Sequence, residues 1–147
     1  MADKTEGSTT IAASAADIME VIADFESYPE WNDIKSTKVV KKDNEGRGTE
    51  VAYVVEAPMI GELKYTLSYT YSGDDGGVSW TTKEIEGKVK DIQGEYVLDE
   101  LDEDETKVTY RVAVDLAISL PGFLKKQADK QIIKQGLDNL KKRVERG

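Results

Sequence analysis

The stretch from Pro121 to Arg146 constrains the fold more than any other part of the chain. Pro121 and Gly122 interrupt the strand-like run before them, and proline suits the first turn of a helix, where its missing N–H has no partner to lose. Beyond them Phe123, Leu124, Ala128, Ile132, Ile133, Gly136, Leu137, Leu140 and Val144 recur at spacings of three and four, with charged residues between. That spacing predicts a long helix with a single apolar stripe that another element must cover. Roughly 24 helical residues span about 36 Å at the α-helical rise. The covering surface must be of similar length.

The preceding residues supply one. Alternation predicts strands at Ser8–Ala12, Ile34–Lys42, Thr49–Glu56, Glu62–Ser72, Val78–Ile85, Val89–Leu101 and Lys107–Leu116. The pattern is cleanest at Glu62–Ser72, where Leu63, Tyr65, Leu67, Tyr69 and Tyr71 share one face. Gly73–Gly77 is a hairpin signal, and Gly94 marks an expected bend or bulge. Short turns between the later strands predict an antiparallel meander. Between the first two strands Ser14 is set as an N-cap with Asp17 three residues on. Ile18, Met19, Val21, Ile22 and Phe25 then form the apolar face of a short helix. Tyr28-Pro-Glu-Trp31 predicts a second, very short helix with Trp31 turned inward, and Tyr28, preceding Pro29, is expected outside the α region. Residues 1–7 are expected to fray, and 8–146 to form one domain. The fold class is therefore α+β, a curved antiparallel sheet of seven strands wrapped around the C-terminal helix.

Composition narrows the chemistry. The 147 residues include no cysteine and no histidine, which excludes disulfides, Cys/His zinc sites, thiol nucleophiles and histidine-based acid–base mechanisms. No calcium-loop pattern is present, so neither a cofactor nor a metal is implied. The net charge of −9 argues against nucleic acid and against broad contact with anionic lipid. MADKTEGS has no apolar h-region, so no signal peptide is expected, and no run approaches the about 18 apolar residues of a membrane span. A cytoplasmic setting fits the missing cysteines. The oligomeric state is left at monomer or weak dimer.

The segment Asp24-Phe-Glu-Ser-Tyr-Pro-Glu-Trp31 resembles the one that follows the first strand in the START-like superfamily. The likeness, carried mainly by Phe25, Tyr28, Pro29 and Trp31, extends from Ser8 to about Arg143, with the Gly46–Gly48 turn and the closing helix in support. It is closest to the bacterial polyketide cyclase/dehydrase and lipid-transport branch, which includes coenzyme Q-binding proteins. The resemblance implies a helix-grip fold whose space between sheet and helix often holds a lipid, sterol, quinone, polyketide or plant hormone. Some members bind or carry such molecules and others cyclise polyketides.

Periodicity proposes the residues that would line such a space. Its wall is expected from Trp31, Tyr53, Val55, Leu63, Tyr65, Leu67, Tyr69, Trp80, Tyr96, Tyr110 and Val112, with Ile132 and Ile133 from the helix. Pro58, Met59, Ile60, Leu120 and Phe123 lie in unusually apolar loops and are expected at its mouth. The chain holds seven tyrosines against two phenylalanines. Buried hydroxyls need partners or water, which suits a hollow interior better than a dry one. Arg111 and Asp115 fall on the outer face, and no carboxylate or other catalytic group is singled out. The expected function is non-covalent binding or transport of a small hydrophobic ligand. The alternatives are a polyketide cyclase or aromatase, marked by an isolated buried carboxylate or arginine in the cavity, and a filled-core interaction module.

Overall fold

A computed structural model describes residues 4–32, 34–57, 61–87, 89–117 and 119–146. Strand β1 (Thr5–Ile11) leads into α1 (Ala15–Ala23), a 3-10 turn (Phe25–Ser27) and α2 (Tyr28–Trp31). There follow β2 (Ser36–Lys42), β3 (Gly48–Ala57), β4 (Gly61–Tyr71), β5 (Gly77–Glu86), β6 (Val89–Asp102), β7 (Glu105–Leu116) and α3 (Gly122–Arg146). The strands form one antiparallel sheet in the order β1-β7-β6-β5-β4-β3-β2. The α+β helix-grip architecture is thus the one the alternation and the terminal helix call for.

Local signals explain most boundaries. The Ser14 side chain accepts the Asp17 N–H at 3.2 Å and caps α1, which buries Ala15, Ile18, Met19 and Ile22. Two expectations need correction. The first strand begins at Thr5 rather than Ser8, because β7 extends far enough to pair Thr5 with Val112 and Gly7 with Tyr110. Tyr28 is α-helical, with φ −53° and ψ −41°. The preference against helix before proline is modest, and here the Tyr28 hydroxyl donates to the Ile22 carbonyl while its ring packs on Phe25 and Trp31. Gly94 pairs with Trp80 and Val112, and the β5–β6 ladder ends at this pair, the Thr82 hydroxyl bonding the Ile92 backbone beyond it. What Gly94 provides is room, since a Cβ there would lie 2.8 Å from the Trp80 ring and 2.5 Å from the Arg111 carbonyl oxygen.

The core lies between the concave face of the sheet and the helices. Ile11, Ile18, Ile22, Phe25, Val51, Val78, Val108 and Leu140 are essentially sealed. Helix α3 packs chiefly on β1, β7 and α1, and two glycines allow its close approach. A Cβ on Gly7 would meet Ile133 at 2.5 Å, and one on Gly136 would meet the Tyr110 ring at 2.7 Å.

The same contacts set the register of helix on strand. Ile133 lies over Gly7, and Lys141 Nζ donates to the Thr10 carbonyl at 2.6 Å, so α3 and β1 run in the same direction. With strand residues advancing about 3.3 Å and helical ones 1.5 Å, the first turns of α3 project past the start of β1. Exposure follows from this overhang. Ile133, Leu137 and Leu140 are buried, whereas Ile132 is 40% and Phe123 71% exposed. The apolar stripe is covered over its second half and stands off the sheet over its first.

Candidate functional site: an aromatic series on the concave face

Aromatic rings run across the concave face in one connected series. Trp31 meets Tyr28 edge-on at 5.1 Å between centroids, and Tyr28 leads to Phe25 and to Tyr53. Phe25 packs on Tyr69, Tyr69 on Trp80, and Trp80 on both Tyr96 and Tyr110. Two pairs are stacked, Tyr53 with Tyr65 at 5.2 Å and Tyr96 with Tyr110 at 4.6 Å. The second pair follows from register, since Tyr96 and Tyr110 are direct cross-strand partners on β6 and β7.

The expected wall residues divide into two groups. Tyr53, Leu63, Leu67, Tyr69, Val112 and Ile133 are buried in closed core. Trp31, Val55, Tyr65, Tyr96 and Tyr110 are only partly buried, and Trp80 at 7% exposure lies between the groups. Ile132 does not pack on the sheet as Ile133 does. It stands one helical turn before Gly136 and is exposed. Leu120 is partly buried and Phe123 projects into solvent, while Pro58, Met59 and Ile60 lie outside the described residues.

Ile85, Val114 and Leu116, which that list lacks, are also partly buried against the core. Val114 and Leu116 continue the apolar side of β7. Ile85 escapes simple alternation because an irregularity opposite Thr66 and Leu67 shifts β5 by one residue, pairing Ile85 with Tyr65. A strand bulge reverses the face of every later residue, and no residue type in β5 announces it.

Polar groups separate the two sets more sharply. The Tyr53 and Tyr69 hydroxyls bond to one another, Tyr28 is satisfied by the Ile22 carbonyl, and Tyr71 donates to the Gly48 carbonyl at 2.7 Å. Among the described residues the hydroxyls of Tyr65, Tyr96 and Tyr110 and the indole N–H of Trp80 have no protein partner. None of them is sealed, because no fully enclosed side-chain polar atom lacks a partner. They are therefore recessed donors that water-sized space still reaches. Burial pushes the Tyr65 and Tyr96 hydroxyls well up from their ordinary value and Tyr110 up to about 12, so all three keep their protons at neutral pH.

The paired hydroxyls make a testable contrast. In Tyr53→Phe the Tyr69 hydroxyl is left enclosed without a partner, at an expected cost of about 1–3 kcal/mol. Tyr53→Phe combined with Tyr69→Phe removes both polar groups and should recover most of that loss. Urea denaturation of the two variants measures the difference; equal or additive losses would contradict the pairing.

Charged groups stay out of the recess with one exception nearby. Asp129, 8% exposed on α3, accepts from Lys125 Nζ with both oxygens at 2.7 and 2.6 Å. In the sequence Asp129 is one of the charged residues between the apolar positions of α3. It is a paired carboxylate, not the isolated acid that would mark a cyclase. Arg111 lies on the outer face between Glu6 and Glu95, at 2.6 and 3.3 Å. Among the described residues no three metal-ligating side chains converge, and no helix is long and apolar enough to cross a membrane. Among the described residues there are a surface groove of about 420 Å³ between β1 and α3 and a shallow concavity of about 540 Å³ at the acidic Asp102–Glu105 tip. Neither is lined by Tyr65, Trp80, Tyr96 or Tyr110.

Known proteins share this fold. The model of a family described as polyketide cyclase/dehydrase and lipid transport matches residues 2–145. A START superfamily protein from Mycobacterium smegmatis superposes with a TM-score of 0.88 at 22% identity, covering 97% of both chains. The Zhui aromatase/cyclase from Streptomyces sp. R1128 gives 0.81 at 15% identity, covering 99% of this chain and 95% of that one. A STAR-related lipid transfer protein fragment from Xanthomonas axonopodis gives 0.74 at 22% identity, covering 97% and 85%. A search among curated proteins finds no match. At these identities the structural likeness speaks for the fold alone.

Proposed function

The chain belongs to the polyketide cyclase/dehydrase and lipid transport family, and from that membership we propose that it binds and carries a small, uncharged hydrophobic molecule in the recess. One observation carries this reading: four donors without protein partners among the described residues, on Tyr65, Trp80, Tyr96 and Tyr110, lie in one connected aromatic series on the concave face, and none of them is sealed. A dry core would have paired or excluded them. Apolar burial against Val55, Ile85, Val114 and Leu116 would supply affinity, and the four donors would fix the orientation of ligand oxygen atoms.

The donors also define the ligand's polarity. Neutral phenols and an indole donate to carbonyl, quinone or ether oxygens, and no cation in the recess compensates a carboxylate or phosphate. A quinone or a polyketide-like ring system fits this description better than a fatty acid anion. Carrying is favoured over catalysis because no group in the recess is poised to exchange protons near neutral pH.

Native mass spectrometry of protein from its own host, with extraction of what it carries, tests this. A stoichiometric uncharged adduct is expected. If the adduct is a charged amphiphile, or if neither adduct nor affinity for added quinones, polyketides or sterols is found, the reading fails. For a ligand so identified, Tyr96→Phe should weaken binding about 2- to 12-fold, the worth of one hydrogen bond, and affinity should stay level from neutral pH to about pH 9 because the tyrosine hydroxyls there keep their protons. A hydrocarbon analogue lacking oxygen should not distinguish Tyr96 from Phe in isothermal titration.

A further inference from the structure

We propose that the flank of α3 bearing Phe123, Lys126 and Lys130 docks reversibly on anionic lipid bilayers. The sites at 123, 126, 130 and 134 recur every three or four residues, so they form one stripe along the helix. All four are exposed, and Phe123 at 71% is the most exposed large apolar residue among those described. Lys134 is paired with Asp138 at 3.0 Å, whereas Lys126 and Lys130 have no acidic partner among the described residues. A bare aromatic ring beside two unpaired lysines matches the headgroup region of an anionic membrane. The ring enters the acyl boundary and the ammonium groups meet phosphates.

The net charge of −9 would seem to forbid such contact, but the fold distributes it unevenly. Asp99, Glu100, Asp102, Glu103, Asp104 and Glu105 crowd the tip between β6 and β7. That tip lies at the start of β7, while α3 begins beyond its end. Along the twelve residues of β7 this separation is roughly 35 Å, several times the Debye length of about 8 Å at physiological ionic strength. At the helix-start end, Glu56 and Glu62 both lie against Lys35, at 3.4 and 3.2 Å. The stripe itself presents Lys126 and Lys130 beside Phe123 and is screened from the acidic tip. The carboxylates Glu84, Glu86, Asp91 and Asp115 at this end of the sheet lie on β5, β6 and β7 rather than on the stripe. The first turns of α3 overhang the recess, so docking would bring the bilayer to where a ligand enters or leaves.

The surface stands on residues outside the recess, so its test is separable from the ligand reading. Ligand-free protein is floated with vesicles of phosphatidylcholine alone or mixed with phosphatidylserine in equal parts, at low and high salt. Recovery with the mixed vesicles at low salt, and release at high salt, is the expected result. Each surface lysine contributes about fivefold in affinity, so Lys126→Glu with Lys130→Glu should reduce binding at least about tenfold, and Phe123→Ala should do likewise. Asp104→Asn at the far tip should leave it unchanged. Circular dichroism confirms that the variants fold, as substitutions at exposed positions should. No binding to mixed vesicles, equal binding to both vesicle types, or binding untouched by the variants would overturn the proposal.

Discussion

Raising the pH above about 10 is expected to unfold this protein abruptly. Six tyrosines, Tyr28, Tyr53, Tyr65, Tyr69, Tyr96 and Tyr110, have hydroxyl pKa values pushed upward, in each case mainly by burial. Below the unfolded value of about 10, both states hold these protons and stability is fully retained. Above it the unfolded chain ionises while the native one does not, so the native state binds more protons and stability falls as pH rises. Each tyrosine contributes a slope of about 1.4 kcal/mol per pH unit in that window, and six together about 8 kcal/mol per unit. Against a typical total of about 5–15 kcal/mol, the midpoint should fall near pH 11. Circular dichroism and tyrosinate absorbance followed together should change in one coincident transition. Gradual ionisation of most tyrosines near pH 10, with the sheet intact, would show that the recess is freely solvated.

The second large effect is at Gly94, where Gly94→Val should cost more than about 3 kcal/mol and disorder the recess. The added Cβ would sit 2.5 Å from the Arg111 carbonyl oxygen and 2.8 Å from the Trp80 ring. The first neighbour is backbone of the adjoining strand and cannot rotate away. Relief requires β6 and β7 to part just where Tyr96 and Tyr110 stack. Trp80→Ala would free space for the side chain and leave the backbone clash, so the double variant should recover only part of the loss. Full recovery in a thermal melt would mean that the indole alone dictates glycine at this position.

Much of this architecture was legible in the residues, because both periods are enforced by burial. Tyr65 and Tyr96 were placed on the concave face by alternation alone, and the α3 stripe demanded a sheet. What remained hidden depends on non-local register. Alternation cannot show that Tyr69 is sealed against Phe25 and Trp80 while Tyr65, four residues earlier on the same face, stays open. That difference is set by the segment after α1, whose Phe25 packs on Tyr69 at 4.6 Å between centroids, whereas Tyr65 stacks only on Tyr53. Ile85 was missed because a one-residue shift in β5 has no compositional mark. Asp129 was missed because a lysine four residues away can either wave in solvent or fold down over its partner, and spacing is the same in both cases.

The central claim, a recess that takes an uncharged hydrophobic ligand, rests on Trp80 and its tyrosine neighbours. The chain has two tryptophans, Trp31 and Trp80, so its nuclear magnetic resonance spectrum holds two indole N–H signals. Titration with a neutral bicyclic quinone, followed through those signals and the ring protons of Tyr65, Tyr96 and Tyr110, tests the claim most directly. The account predicts that the Trp80 indole signal and the three tyrosine rings shift together and saturate, while Tyr71 and Phe123 stay in place. If the shifts gather in the groove between β1 and α3, or if none saturates with quinones, sterols or polyketide-like ligands, the recess is not the site.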